Sequence, residues 1–291
     1  MSRPGEGIDE ALVRRLIATQ FPQWADLPVR AVEPGGWDNR TFRLGDELGV
    51  RMPGARRYAA AVEKEQRWLP RLAPHLPLPI PEPVGLGEPG EGYPHPWSVF
   101  RWLQGETAEQ APPGDLIAFA EDLADLLRAF QAADATDGPP AGAHSFHRGG
   151  DLAVYAEETE AALARFDGDA GAARALWDAA LASRWAEPPV WVHGDLAPSN
   201  LLVRGGRLAA VIDFGQLSVG DPACDYGIAW TFLDTPARAA FRARLDPDPE
   251  TWARAKGWTL WKALIVVTGQ AGVNDRQTPL WRRALAEVLA D

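Results

Sequence analysis

Cysteine is almost absent. The one thiol, Cys224, excludes an intrachain disulfide, fits a reducing compartment such as the cytoplasm, and reads as a small core residue. No Cys/His spacing suits structural zinc. No apolar run is long enough to cross a bilayer, and Met1-Ser2-Arg3-Pro4-Gly5-Glu6-Gly7 lacks the apolar core of a signal peptide. These features predict a cytoplasmic chain with no membrane partner. Positive charge is short in one part only. Basic and acidic residues balance over 1–103, so residues 104–291 carry the whole net charge of -11. An acidic half opposes non-specific nucleic-acid binding. It would attract a cationic ligand, or simply aid solubility.

Apolar residues make up 46% of the 291, enough for one large domain or two packed lobes. The stretch that organises them is Trp191-Val192-His193-Gly194-Asp195-Leu196-Ala197-Pro198-Ser199-Asn200-Leu201-Leu202-Val203, followed by Val211-Ile212-Asp213-Phe214-Gly215. The first part reads as strand, loop, strand, with an Asp and, five positions on, an Asn in the loop. Gly205-Gly206 signals a hairpin, which would return Asp213 toward Asp195 and Asn200. Two Asp and one Asn that merely cap turns are the plainer reading of each residue alone.

Together they suit phosphoryl transfer, which requires a positioned acceptor hydroxyl, a proton acceptor and neutralised phosphate charge. Asp195 would orient and deprotonate the hydroxyl, and Asn200 and Asp213 would hold Mg2+ through hard oxygens. The His-Gly-Asp-x-x-x-x-Asn form and the Asp-Phe-Gly resemble the aminoglycoside phosphotransferase family, with Gly194 where protein kinases usually have Arg. The resemblance spans nearly the whole chain but is specific only at these two motifs.

Ahead of them, Ile8–Phe21 has the apolar spacing of a helix. Strands are predicted over 29–33, 40–44 and 50–52, with a turn over 34–39. That turn, through Gly35, Gly36 and Asn39, can fold over phosphates. It lacks Gly-x-Gly-x-x-Gly and a Walker lysine. On the third strand the kinase pattern wants Lys, and this chain has Arg51, which keeps the charge with a bulkier fork. A helix over 58–72 offers Glu65 as its partner, with Glu63 second. Residues 74–96, rich in proline, read as extended connection. Trp97–Leu103 reads as a further strand leading to a hinge at Gln104-Gly105. By the resemblance, Phe100 lines the nucleotide pocket, and Arg101 and Leu103 offer backbone groups to the purine.

The remainder is helical: 116–133 behind an Asp115 cap, 152–166 behind Asp151, about 170–184, 226–232 behind Asp225, and about 236–245, 249–268 and 279–290. Asp225 would cap its helix or, as the resemblance implies, brace the catalytic loop. Glu157, Glu158 and Glu160 would face a cationic substrate or solvent. Trp252, Trp258 and Trp261 read as core, though such faces also stack on sugars.

The resulting expectation is an α+β, two-lobed, protein-kinase-like fold. Residues 1–103 form a small nucleotide-binding β-sheet lobe, and 104–291 a larger, mainly helical catalytic and acceptor lobe. The span from Gly215 to Asp221 is too short for a peptide platform, which favours a small-molecule hydroxyl acceptor over a protein. ATP or GTP and Mg2+ are the expected co-substrate and metal. A cationic aminoglycoside is the first expectation for the acceptor. A macrolide or a metabolic alcohol (choline, a methylthio sugar, homoserine) is the alternative, and a catalytically silent nucleotide-binding protein is the reading of another class.

Overall fold

A computed structural model describes residues 5, 7–33, 36, 38–271 and 278–291. It divides into two compact units, 1–105 with 210–215, and 106–209 with 216–291.

The first unit begins with α1 (Glu10–Gln20), capped by Asp9, whose Oδ1 accepts the Leu12 N–H at 2.8 Å. Then come β1 (Val29–Ala31), β2 (Asn39–Leu44), β3 (Leu48–Pro53), α2 (Arg56–Leu72), β4 (Pro83–Gly87) and β5 (Trp97–Arg101). The strands pair antiparallel in the order β1-β2-β3-β5-β4. One face of α1, with Leu12, Val13, Leu16 and Ile17, packs on Phe42, Leu44, Val50 and Trp97 of the sheet. Fully burying each aliphatic side chain is worth roughly 1.5–3 kcal/mol. β4 corrects the reading of 74–96 as plain connection. Proline is tolerated here because β4 is an edge strand, with Pro83 at its first position and a register shift beside it. β3 also begins earlier than expected, taking in Leu48 and Gly49.

The second unit contains β6 (Glu106–Thr107), α3 (Leu116–Ala132), α4 (Ala156–Leu163), α5 (Ala170–Leu181), β7 (Val190–Val192), β8 (Leu201–Arg204), β9 (Arg207–Val211, whose last two residues group with the first unit), β10 (Ser218–Gly220), α6 (Ile228–Thr231), α7 (Thr235–Leu245), α8 (Pro249–Val267) and α9 (Thr278–Ala290). The strands form two small sheets, β6-β8-β9 and β10-β7. The β8–β9 turn uses Gly205 and Gly206 at φ +59° and +76°, the left-handed pair a two-residue hairpin needs. Residues 152–155 are a tight 3-10 turn ahead of a short α4, so the helix expected over 152–166 is broken. Trp252, Trp258 and Trp261 of α8 are buried, as their spacing suggested.

Candidate active site

In the first unit Arg51 is the centre of a charge cluster. It sits in mid-β3, opposite Thr41 of β2 and Ser98 of β5. Its Nη1 donates to Glu65 Oε1 at 2.9 Å and its Nη2 to Asp213 Oδ1 at 2.7 Å. Burial works against the Arg51 charge, but Glu65 and Asp213 outweigh it and raise its affinity for the proton. Burial pushes the Glu65 carboxyl upward, and Arg51 opposes that. Glu63 is exposed, so Glu65 alone is the α2 partner. Asp213 holds a left-handed backbone at φ +66°, a conformation that non-glycine residues keep only where the surroundings impose it.

Replacing Arg51 by Met should destabilise the protein by about 3 kcal/mol, because Glu65 is left as a buried, unpaired carboxylate. Denaturant unfolding would measure this. Adding Glu65→Leu to that variant should restore most of the loss, and no recovery would mean that the pair is not the cause.

Sequence reasoning missed Asp38. Its carboxyl is hydrogen-bonded to Tyr58, raised chiefly by burial, and lies within the fields of Asp213 and Arg51. Its carbonyl accepts the Gly54 N–H at 2.8 Å, tying the start of β2 to the residue after β3. An acid next to the Gly-Gly turn was the available signal. Of the turn itself, Gly35 lies outside the described residues. Gly36 is exposed, and Asn39 starts β2 opposite Pro53. The buried Phe100 ring lies 5.9 Å from the Arg51 guanidinium. Arg101 is exposed at the end of β5, with its N–H on Glu82 O at 2.9 Å and its side chain on the Glu82 carboxylate at 3.0 Å. Leu103 is partly buried two residues beyond the strand.

In the second unit the loop between β7 and β8 carries Asp195. Asp225, itself buried, receives the N–H groups of His193 and Gly194 on its two carboxylate oxygens, both at 2.7 Å. Desolvation pushes this carboxyl up to about 7, while the two backbone bonds pull it down. Asp225 therefore braces the loop. It does not cap a helix, since Asp221 caps that segment through the Ala223 N–H. His193 Nδ1 accepts the Asp195 N–H at 3.2 Å, which makes the buried imidazole a support for the loop. Asn200 Nδ2 donates to Asp195 O at 2.8 Å and lies 3.4 Å from Asp195 Oδ2. Gly194 sits at φ +83°, where a Cβ would come within 2.9 Å of the Gln216 carbonyl and 3.0 Å of Arg148 Cβ. Any side chain at this position would move the loop.

The structure thus joins Arg51, Glu65 and Asp213 in one unit, and Asp195 and Asn200 in the other. Of the helix acids, Glu157 and Glu160 lie on a solvent-exposed face, Glu160 paired there with Arg174, while Glu158 Oε2 accepts the Trp261 Nε1–H at 2.7 Å. Among the described residues no group of three or more His, Cys, Asp or Glu forms a metal site, and no helix is long and apolar enough to cross a membrane.

The model of the phosphotransferase enzyme family matches residues 29–258, a span that holds both clusters. This chain belongs to that family. Among curated proteins it is similar to hygromycin-B 4-O-kinase of Escherichia coli, 26% identical over 279 residues, covering 78% of this chain and 79% of the relative. Among solved structures it resembles the GDP and kanamycin complex of APH(2")-IIia, with TM-score 0.72 and 20% identity over 96% of this chain and 98% of the other. It also resembles the macrolide 2'-phosphotransferase MphH from Brachybacterium faecium, with TM-score 0.63 and 21% identity over 95% and 97%. The last two likenesses speak to the fold: an antiparallel N-terminal sheet followed by a mainly helical part.

Proposed function

We propose that this phosphotransferase moves the γ-phosphoryl of ATP or GTP, with Mg2+, onto a hydroxyl of a small molecule, with Asp195 as the catalytic base. The observation that carries this reading is the braced loop. Asp225, His193 and Asn200 fix the backbone on both sides of Asp195, the preorganisation that a positioning mechanism requires. Asp195 would accept the acceptor's proton as its oxygen attacks the γ-phosphorus. The bond from that phosphorus to the bridging oxygen breaks, and the nucleoside diphosphate leaves.

The donor chemistry fits Mg2+. Asn200 commits its Nδ2 to Asp195, so its amide oxygen is the atom left to coordinate, and Asp213 adds a carboxylate. These are hard oxygens, and Mg2+ characteristically takes one or two such ligands together with substrate phosphates. The ion would neutralise phosphate charge. Arg51 would touch the phosphates, with Glu65 holding it in place. The turn of Gly35, Gly36 and Asn39 would cover them. Phe100, Arg101 and Leu103 would border the base. GDP in the complex of APH(2")-IIia and ADP in that of APH(2'')-Ib support a purine nucleotide as co-substrate. Residues 1–103 would bind it and residues 104–291 would supply the base and the acceptor site.

An aminoglycoside is the acceptor that the hygromycin kinase favours. A macrolide is the second reading, supported by the likeness to the macrolide 2'-phosphotransferase MphH. Incubation with Mg2+ and either nucleotide against aminoglycosides, macrolides and small alcohols, read by product mass, tests the reaction. One phosphoryl group added to a hydroxyl is the expected product, and no product from any acceptor would overturn the proposal. Asp213→Ala should abolish Mg2+-dependent nucleotide binding in equilibrium titration while metal-free binding stays weak and unchanged. Equal affinity of variant and parent with Mg2+ would remove Asp213 from the metal.

A further inference from the structure

Arg51 holds two carboxylates of unequal standing. The Glu65 side chain is 4% exposed and the Asp213 side chain 36%. The bond from Nη1 to Glu65, at 2.9 Å, is therefore shut inside the first unit. The bond from Nη2 to Asp213, at 2.7 Å, ends on a carboxylate that solutes can reach. One arm anchors the guanidinium and the other is exchangeable. A planar fork holds both acids at once, whereas an ammonium is a single compact charge. Nor can the guanidinium withdraw by giving up its proton, since arginine stays charged in proteins. Glu65 and Asp213 strengthen its hold on that proton.

A divalent cation at Asp213 would thus meet a fixed positive charge on the same carboxylate. It would take an oxygen from Nη2 or sit beside it, and like charges at that distance repel. The neighbouring acids give little relief. Glu65 is committed to Nη1. Asp38 is hydrogen-bonded to Tyr58, and burial pushes its carboxyl toward the neutral form. Phosphate oxygens remove the conflict in two ways. They place negative charge between the two cations, and they accept the N–H that Asp213 gives up.

We propose that Arg51 stands in for the metal at Asp213: its Nη2 arm disfavours a free divalent cation there, and it yields Asp213 when nucleotide phosphates accept that arm, so that metal and nucleotide enter together. The inference rests on Asp213 as a metal ligand and adds the order of entry. It gives the fork of Arg51 a task that a one-armed side chain would not perform.

Mn2+ is the probe. Its binding to the protein alone is read from the EPR signal of the free ion, and binding of the preformed Mn2+ complex of a non-hydrolysable ATP analogue is read by calorimetry. Arg51→Lys keeps the charge for Glu65 and removes the second arm. It should bind Mn2+ alone about 10-fold more tightly than the parent, the size of one charge-assisted hydrogen bond, and should bind the analogue complex no more tightly. Arg51→Met combined with Glu65→Leu removes the fork altogether. It should show at least the same gain for Mn2+ alone, and it serves if the lysine variant fails to fold. Adding Asp213→Ala to either should cancel the gain. No gain in either variant, a gain that survives Asp213→Ala, or an equal gain for the analogue complex overturns the inference. The metal assignment beneath it fails separately, if Asp213→Ala alone binds the analogue complex as the parent does.

Discussion

Asp195→Ala should lower turnover by about 10³-fold with nucleotide affinity unchanged. Base catalysis of this kind contributes roughly 10²–10⁴-fold, and loss of orientation adds to it. The nucleotide contacts proposed for Arg51 and Asp213 belong to the other compact unit, so binding should survive. Asp195→Asn divides the effect. It keeps the shape and a hydrogen-bonding oxygen but takes no proton. Both variants lose the proton acceptor, but Asn still orients the acceptor hydroxyl, and positioning is a large part of phosphoryl-transfer catalysis, so the Asn variant should keep more activity than the Ala variant. Single-turnover kinetics with the best acceptor from the panel would show this. Full activity in the Ala variant would sink the mechanism, and equal losses in both variants would put the whole effect in proton transfer.

Asp225→Ala should be the most damaging change to the loop itself. It strands the N–H groups of His193 and Gly194, both now bonded at 2.7 Å in a buried place. Each unsatisfied buried donor costs about 1–3 kcal/mol, so the variant should lose about 3–5 kcal/mol of stability, near the lower end of what a whole domain has to spare. Survivors should show turnover reduced by about 10²-fold, because the backbone next to Asp195 has lost its fixed partner. Asp225→Asn should fall between, since it keeps one accepting oxygen and turns an amide NH2 against the other donor. Thermal unfolding and turnover measured on the same samples check both effects. A stable Ala variant with normal turnover would mean that the loop is held by His193 and Asn200 alone.

The legibility of these residues in the sequence differed for physical reasons. Asp195, Asn200 and Asp213 could be found because they sit at fixed offsets from β7, β8 and β9, whose apolar runs are unambiguous. Arg51 and Glu65 could be paired because β3 and α2 follow directly in the chain. Asp225 could not be settled, because an Asp ahead of an apolar helix is as good a cap as a brace, and only its two bonds to a segment 31 and 32 residues away decide. Asp38 was missed because its significance comes from Tyr58, Arg51 and Asp213, none of which is its neighbour in sequence. β4 was hidden by its proline, whose tolerance depends on lying at the sheet edge. For the helix acids, periodicity showed a shared face, and Glu157 and Glu160 are indeed exposed, but it could not show that Glu160 is bound to Arg174 or Glu158 to Trp261.

The small piece 210–215 that joins the first unit also bears on synthesis. Arg51 leaves the ribosome 162 residues before Asp213. At roughly 5–20 residues per second, its guanidinium waits about 8–30 s for its second carboxylate. Through that interval the five-stranded sheet has to hold Arg51 with Glu65 alone. A ribosome stalled after residue 150 should therefore display a sheet that is formed but open to protease at β3. The same nascent chain released after residue 230 should be protected.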